Sequence, residues 1–295
     1  MRASEKPASN VAYGPWTKAA APRRGGEIRL ELKRAADGAT ALADLYQAQP
    51  LRALFPLPER GDVFQAAITC VSGGLVGGDR LDMAVRLGDG ARALVIGQAA
   101  EKVYRSLGPD CVVESELRAG RESWLEYLPQ ETILFDGSRL RRRTQIQLDD
   151  GARCLTGGIL VFGRAARGET LRHGLVHDVW EFRDADGRLT WKDALHLDGD
   201  IETLLGRAAT FGGAVAYGSL IYAGDDAAKH LQTVRDIAVG GDGLRLGATS
   251  FRDLLIVRLL SANALALRDA FGKIWKTLRA EAGGLPPSLP RLWGI

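Results

Sequence analysis

Apolar and polar residues alternate in register from Ile28 to Lys33: Ile28, Leu30 and Leu32 stand against Arg29, Glu31 and Lys33. This period of two is the mark of a strand with one face buried. The same grammar returns at Leu81, Met83, Val85 and Leu87, and short apolar runs at Ala93 to Ile96, Ile159 to Phe162 and Leu254 to Leu260 predict further strands. Asp-Gly pairs begin at positions 37, 89, 136, 150, 186, 198 and 242. Both residues tolerate positive φ, so the pairs predict tight turns and argue for antiparallel hairpins. Two of them continue identically, Asp89-Gly90-Ala91-Arg92 and Asp150-Gly151-Ala152-Arg153, a match too short to establish a repeat.

Helical periodicity is confined to the last third. Asp225 as a cap predicts a helix near 226–238 through Ala227, Leu231, Val234 and Ala238. Ser261 as a cap predicts a longer one to about Ala282, with Leu267, Phe271, Ile274 and Leu278 on one face and Gly283-Gly284 and Pro286-Pro287 ending it. The expected fold is mainly β: stacked antiparallel or mixed β-sheets in one extended domain, with about two α-helices in the C-terminal third. Residues 1–26, rich in Ala, Pro, Ser and Gly, predict a flexible N-terminal arm before a single β-rich domain over 27–295.

Composition changes this picture little. A chain of 295 residues that is 46% hydrophobic can bury a full core, and 39 basic against 36 acidic side chains give a net charge of only +3. No nucleic-acid partner follows. Cys70, Cys111 and Cys154 are widely spaced and odd in number, unlike a zinc motif or a disulfide framework. The N-terminus has no apolar leader and no stretch is long and apolar enough to span a bilayer, so the expectation is a soluble cytoplasmic protein with no membrane partner.

Few constellations point to chemistry. Ser72-Gly73-Gly74-Leu75-Val76-Gly77-Gly78-Asp79 lacks the Lys-Ser/Thr of a phosphate loop and leads into a strand, so it reads as a tight bend. His173 and His177, beside Asp178, share a side in either helix or strand, which allows a two-histidine metal site. No nucleophile carries a local signature of activation. The carboxylates Asp79, Glu126, Asp136 and Glu169 lie near apolar stretches or turns and are candidates to line a passage for a divalent cation. Arg139, Arg141 and Arg143 would share one strand face and offer forks to a partner's carboxylates.

A set of landmarks in fixed order then resembles the UreD (UreH) family of urease accessory proteins. These are the Gly73-to-Asp79 bend, Ala99-Ala100-Glu101-Lys102-Val103-Tyr104-Arg105-Ser106, Leu125-Glu126-Tyr127-Leu128-Pro129-Gln130, Phe162-Gly163-Arg164 with Gly168-Glu169, Leu246-Gly247-Ala248-Thr249-Ser250, and the terminal Pro290-Arg291-Leu292-Trp293. The resemblance covers roughly residues 25 to 295. It implies a mainly β fold and a non-catalytic scaffold that joins the accessory proteins UreF and UreG to apo-urease and offers a passage for nickel. No cofactor is then tightly bound, and Ni2+ is transient cargo. Asp79, Glu126, Glu169 and His173 are the candidate path residues, and Lys102, Tyr104, Arg105, Arg141 and Arg143 the candidate partner contacts.

The chain departs from the family's pattern in places. Ile96-Gly97 stands where a Thr-Thr pair is usual, no carboxylate accompanies Gly157-Gly158, and His173 matches the pattern whereas His177 does not. The alternative from another class is a metal-dependent hydrolase using His173, His177 and Asp178.

Overall fold

A computed structural model describes residues 25–164, 167–237 and 243–294. Seven strands form the first sheet: β1 (Gly25–Arg34), β2 (Thr40–Ala48), β5 (Arg80–Leu87), β8 (Cys111–Ala119), β11 (Arg139–Leu148), β13 (His173–Arg183) and β14 (Leu189–Asp200). Their spatial order is β14-β13-β11-β8-β5-β1-β2. The second sheet runs β16 (Leu244–Phe251), β17 (Leu254–Ser261), β15 (Ala216–Ala223), β12 (Arg153–Phe162), β9 (Trp124–Leu128), β6 (Arg92–Gly97), β4 (Phe64–Cys70), β3 (Leu51–Leu54). The short strands β7 (Glu101–Val103) and β10 (Thr132–Leu134) pair beside it. Among the described residues three α-helices follow late in the chain: α1 (Ile201–Gly206), α2 (Leu231–Ile237) and α3 (Ala264–Glu281).

From β4 to β13 the chain crosses repeatedly between the sheets, so strands that are neighbours in one sheet are separated in sequence by strands of the other. Each sheet is therefore parallel at its centre: β1, β5, β8, β11 and β13 pair in parallel, as do β4, β6, β9 and β12. This explains what the Asp-Gly pairs do. Asp37-Gly38 and Asp186-Gly187 close hairpins as expected, whereas Asp89-Gly90 and Asp150-Gly151 are corners at which the chain passes from the first sheet to the second. Asp242 lies outside the described residues. The matching tetrapeptides occupy equivalent corners two coils apart, with the β8-to-β9 crossing between them. Ala91 and Ala152 are buried in both, and Arg92 and Arg153 both reach carbonyls at the end of α3, those of Gly283 and Ala282.

Helix α3 covers the outer face of the second sheet through Leu267, Phe271, Ile274 and Leu278, the face its periodicity predicts, together with Trp275. Its cap is Asn263, whose side chain accepts from Leu265 and Ala266; Ser261 ends β17 instead and its hydroxyl accepts from the Asn263 amide. The helix predicted near 226–238 is a single 3-10 turn, Ala227–His230, running into α2, flanked by Asp226 rather than capped by Asp225. Six-residue α1, with Asp200 as its cap, has too few turns to show a period and escaped prediction.

One buried charge network fastens these layers. Both oxygens of Glu126 accept from Arg279 Nε, and the indoles of Trp124 and Trp275 donate to it at 3.0 Å. Arg279 also pairs with Asp62 and donates to the carbonyls of Pro286 and Ser288. Helix, sheet and C-terminal segment are thus tied through a guanidinium that is 0% exposed. Arg279→Met leaves two carboxylates without their counter-charge, and urea unfolding should show a loss of about 3–5 kcal/mol.

Candidate functional site

The space between the sheets is filled by two apolar clusters, one containing Val85, Leu117, Ile146 and Trp180, the other Ile28, Leu81, Leu140 and Val176. Between them packing gives way to a cavity of about 270 Å³. It arises because inward positions of several strands here carry small or polar side chains: Cys70 of β4, Ser115 of β8, Thr132 of β10 and Arg142 of β11. Gly73, Ala99 and Lys102 line its exposed end. Tyr127 and Arg142 line its deep end, where half-buried Tyr127 faces the cavity rather than bulk water.

The glycine-rich segment builds the mouth, and it is a bend as its sequence indicates. Leu75 bridges to Val103, with its amide donating to the Lys102 carbonyl at 2.7 Å and its own carbonyl accepting from Tyr104 at 2.8 Å. Gly73 adopts a φ of 78°, and at Gly74 a Cβ would run into the Tyr104 ring. The Tyr104 hydroxyl donates to the Gly73 carbonyl, so the ring both requires the glycine and staples the bend. Asp79 closes the turn by accepting from the Val76 amide at 2.9 Å.

Glu101 lies on the cavity wall. Burial pushes its carboxyl up to about 7 against the pull of Lys102, and the charge of Asp79 adds to the rise. The Cys111 thiol beneath is pushed up to about 12 by burial, with Asp79, Glu101 and Cys70 contributing, so it is a neutral core thiol. Deeper in, Arg142 forms a fork with Asp178, Nε to Oδ1 at 2.8 Å and Nη2 to Oδ2 at 2.7 Å, while its Nη1 donates to Thr132 Oγ1 at 2.8 Å. The Tyr127 hydroxyl is pushed up by burial, with Ser115, Arg142 and Asp178 as its polar neighbours.

The residues singled out from sequence fall in four places. Asp79 stands beside the mouth, where its charge reaches Glu101 and Cys111, although it is not part of the cavity wall. Glu126 faces α3 on the other side of the second sheet, because β9 turns Trp124, Glu126 and Leu128 outward and Tyr127 inward. Glu169 pairs with Arg164 and accepts from the Asp136 amide, and the Asp136 carboxylate accepts from Arg105, Arg172 and the His173 amide. Glu169, His173 and Arg105 thus meet around Asp136, away from the cavity. Lys102 lies at the mouth and Tyr104 beneath it, while Arg141 pairs with Asp110 and Arg143 with Glu181 on the outer face of the first sheet.

The histidine constellation does not assemble. His173 and His177 do share a face of β13, but a strand rise of roughly 3.4 Å per residue sets them about 14 Å apart. Asp178 points to the opposite face, into its fork with Arg142. His177 stacks edge-on with His196 across β13 and β14, ring centroids 5.2 Å apart, and burial, His196 and Arg141 hold its pKa low. Among the described residues no three His, Cys, Asp or Glu side chains converge on a point that could hold a metal ion.

The family model described as UreD urease accessory protein matches residues 24–294. The chain belongs to the UreD family. It is 41% identical over 262 residues to the urease accessory protein UreD of Magnetococcus marinus, covering 88% of this chain and 90% of that protein. It is 40% identical over 275 residues to the UreD of a Methylobacterium species, with 92% and 95% covered, and 38% identical over 262 residues to that of Rhizobium rhizogenes, with 89% and 92% covered.

Within this UreD-family chain, two cavity residues were passed over by sequence reasoning although signals for them existed. Arg142 interrupts the outward series Arg139, Arg141, Arg143 and so occupies an inward strand position. Glu101 sits inside the landmark block that was read for its cations. Because burial raises the Glu101 pKa from 4.5 to about 7, the neutral acid is the form the fold favours, and that contribution is lost as pH rises through this interval. Glu101→Gln should match the wild type at about pH 4.5 and exceed it by about 2 kcal/mol at about pH 8, as urea titrations at the two pH values will show.

Proposed function

We propose that this UreD-family protein is a non-catalytic maturation factor for urease, acting in the cytoplasm, whose working part is the cavity between its sheets. It holds the accessory proteins UreF and UreG to apo-urease and lets nickel pass through to the urease active site. The observation that carries this reading is the cavity, entered beside Asp79 and Glu101 and ending at Arg142. Polar groups are spread along its wall rather than gathered, and a conduit has to hold an ion weakly at several points because a tight cage would stop it. Oxygen donors with a thiol at Cys70 suit a borderline divalent cation in transit. Nickel is cargo in this scheme.

Lys102 and Tyr104 at the mouth, and Arg105 beyond them on Asp136, are the contacts proposed for the partner that supplies the ion. Arg141 and Arg143 are already paired with Asp110 and Glu181 and would have to exchange these carboxylates for a partner's. The test is co-expression of apo-urease with its accessory proteins and this chain carrying Val113→Phe, a larger apolar side chain on the cavity wall. The variant chain should remain in the complex while urease nickel content and activity fall to near the level reached without the chain. Full nickel loading with Val113→Phe in place would refute the passage.

A further inference from the structure

At its deep end the cavity is barred by one side chain that touches both sheets. Arg142 is held by Asp178 of the first sheet through two bonds and by the Thr132 hydroxyl of the second through a third. The pair is nearly closed to solvent, with Arg142 12% and Asp178 4% exposed. The polar character of the inter-sheet space does not stop there. Asp178 also acts on Tyr217 of β15, whose other polar neighbours are Ser219, Arg258 and Asp193. Arg258 donates to Ser219 Oγ and to Asp193 Oδ2, both at 2.7 Å, and this second pair is about a third exposed, on β17 and β14 near the far ends of the two sheets. A line of polar side chains therefore runs from the cavity to a second edge, and the Arg142–Asp178 fork lies across it.

We propose that this fork is a gate, in which Arg142 occupies as an internal counter-cation the place on Asp178 that a divalent cation takes when it moves beyond the cavity. The inference rests on the passage reading and names its regulation. At rest the pair is neutral and the guanidinium excludes other cations by both bulk and charge. An unpaired carboxylate in this interior is costly, so Asp178 is never left open; one cation replaces another. The displaced guanidinium keeps its bond to Thr132 and turns into the space the ion has left. An ion on Asp178 then faces Tyr217, Ser219 and Asp193.

The gate makes a prediction of gain rather than loss. Full-length chain carrying Arg142→Met should bind one Co2+ or Ni2+ that the wild type does not, seen by titration and, for cobalt, by its absorption bands. Arg142→Met with Asp178→Leu, which removes the pair without stranding a charge, should lose that added ion while remaining folded. If Arg142→Met fails to fold, Arg142→Lys takes its place, because a lysine cannot make the fork and should bind the ion more weakly than the methionine variant but above the wild type. A folded Arg142→Met or Arg142→Lys that binds no added ion overturns the gate, as does an added ion that survives loss of Asp178. Either result leaves the passage itself to be judged separately by the nickel content obtained with Val113→Phe.

Discussion

Every polar side chain at an inward strand position in this protein is committed to a space bounded by two sheets, and it has to find its partners there. The coiled path of the chain imposes this, because from β4 to β13 the chain passes back and forth between the sheets, and strands consecutive in sequence do not pair side by side. Arg142, Asp178, Thr132, Ser115 and Tyr127 meet for that reason, although they come from five different strands. Their meeting leaves the cavity between the two apolar clusters, which Leu45, Ile68 and Met83 join elsewhere.

The mouth depends on the same winding. The bend before β5 and the strand β7 lie on adjacent coils, and the Leu75–Val103 bridge brings them together so that Tyr104 can clamp the glycines. A rigid bend places Asp79 where its charge is felt by Glu101, and burial pushes that carboxyl up to about 7. The outer face of the first sheet has a different character. Arg80, Arg141 and Arg143 pair there with Asp82, Glu114, Asp110 and Glu181, and burial notwithstanding, Arg143, Lys192 and Arg183 hold Glu181 down at about 2. Such a face resists non-specific association because its charges are already neutralised locally.

Much of the fold was legible in the chain. Period-two alternation located β1 and β5, and the apolar face of α3 was read correctly because its period is long and regular. The winding was not legible, since an Asp-Gly pair marks a tight turn without saying whether the next strand returns beside the last or crosses to another sheet. The site was legible only at its rim. The glycine-rich bend and Asp79 are local features, whereas the depth of the cavity depends on which face of a strand each residue occupies. Glu126 was a candidate for a passage by composition, yet its odd-even position relative to Tyr127 turns it to the helices. The same rule applied to Arg142 would have found the deep end.

The most direct measurement is nickel-edge anomalous diffraction from crystals of this chain equilibrated with Ni2+. An anomalous peak inside the inter-sheet cavity, between Glu101 and the Arg142–Asp178 fork, is the predicted result. Peaks confined to the outer surface, such as at the His177–His196 pair, with none in the cavity, would contradict a route for nickel through the protein.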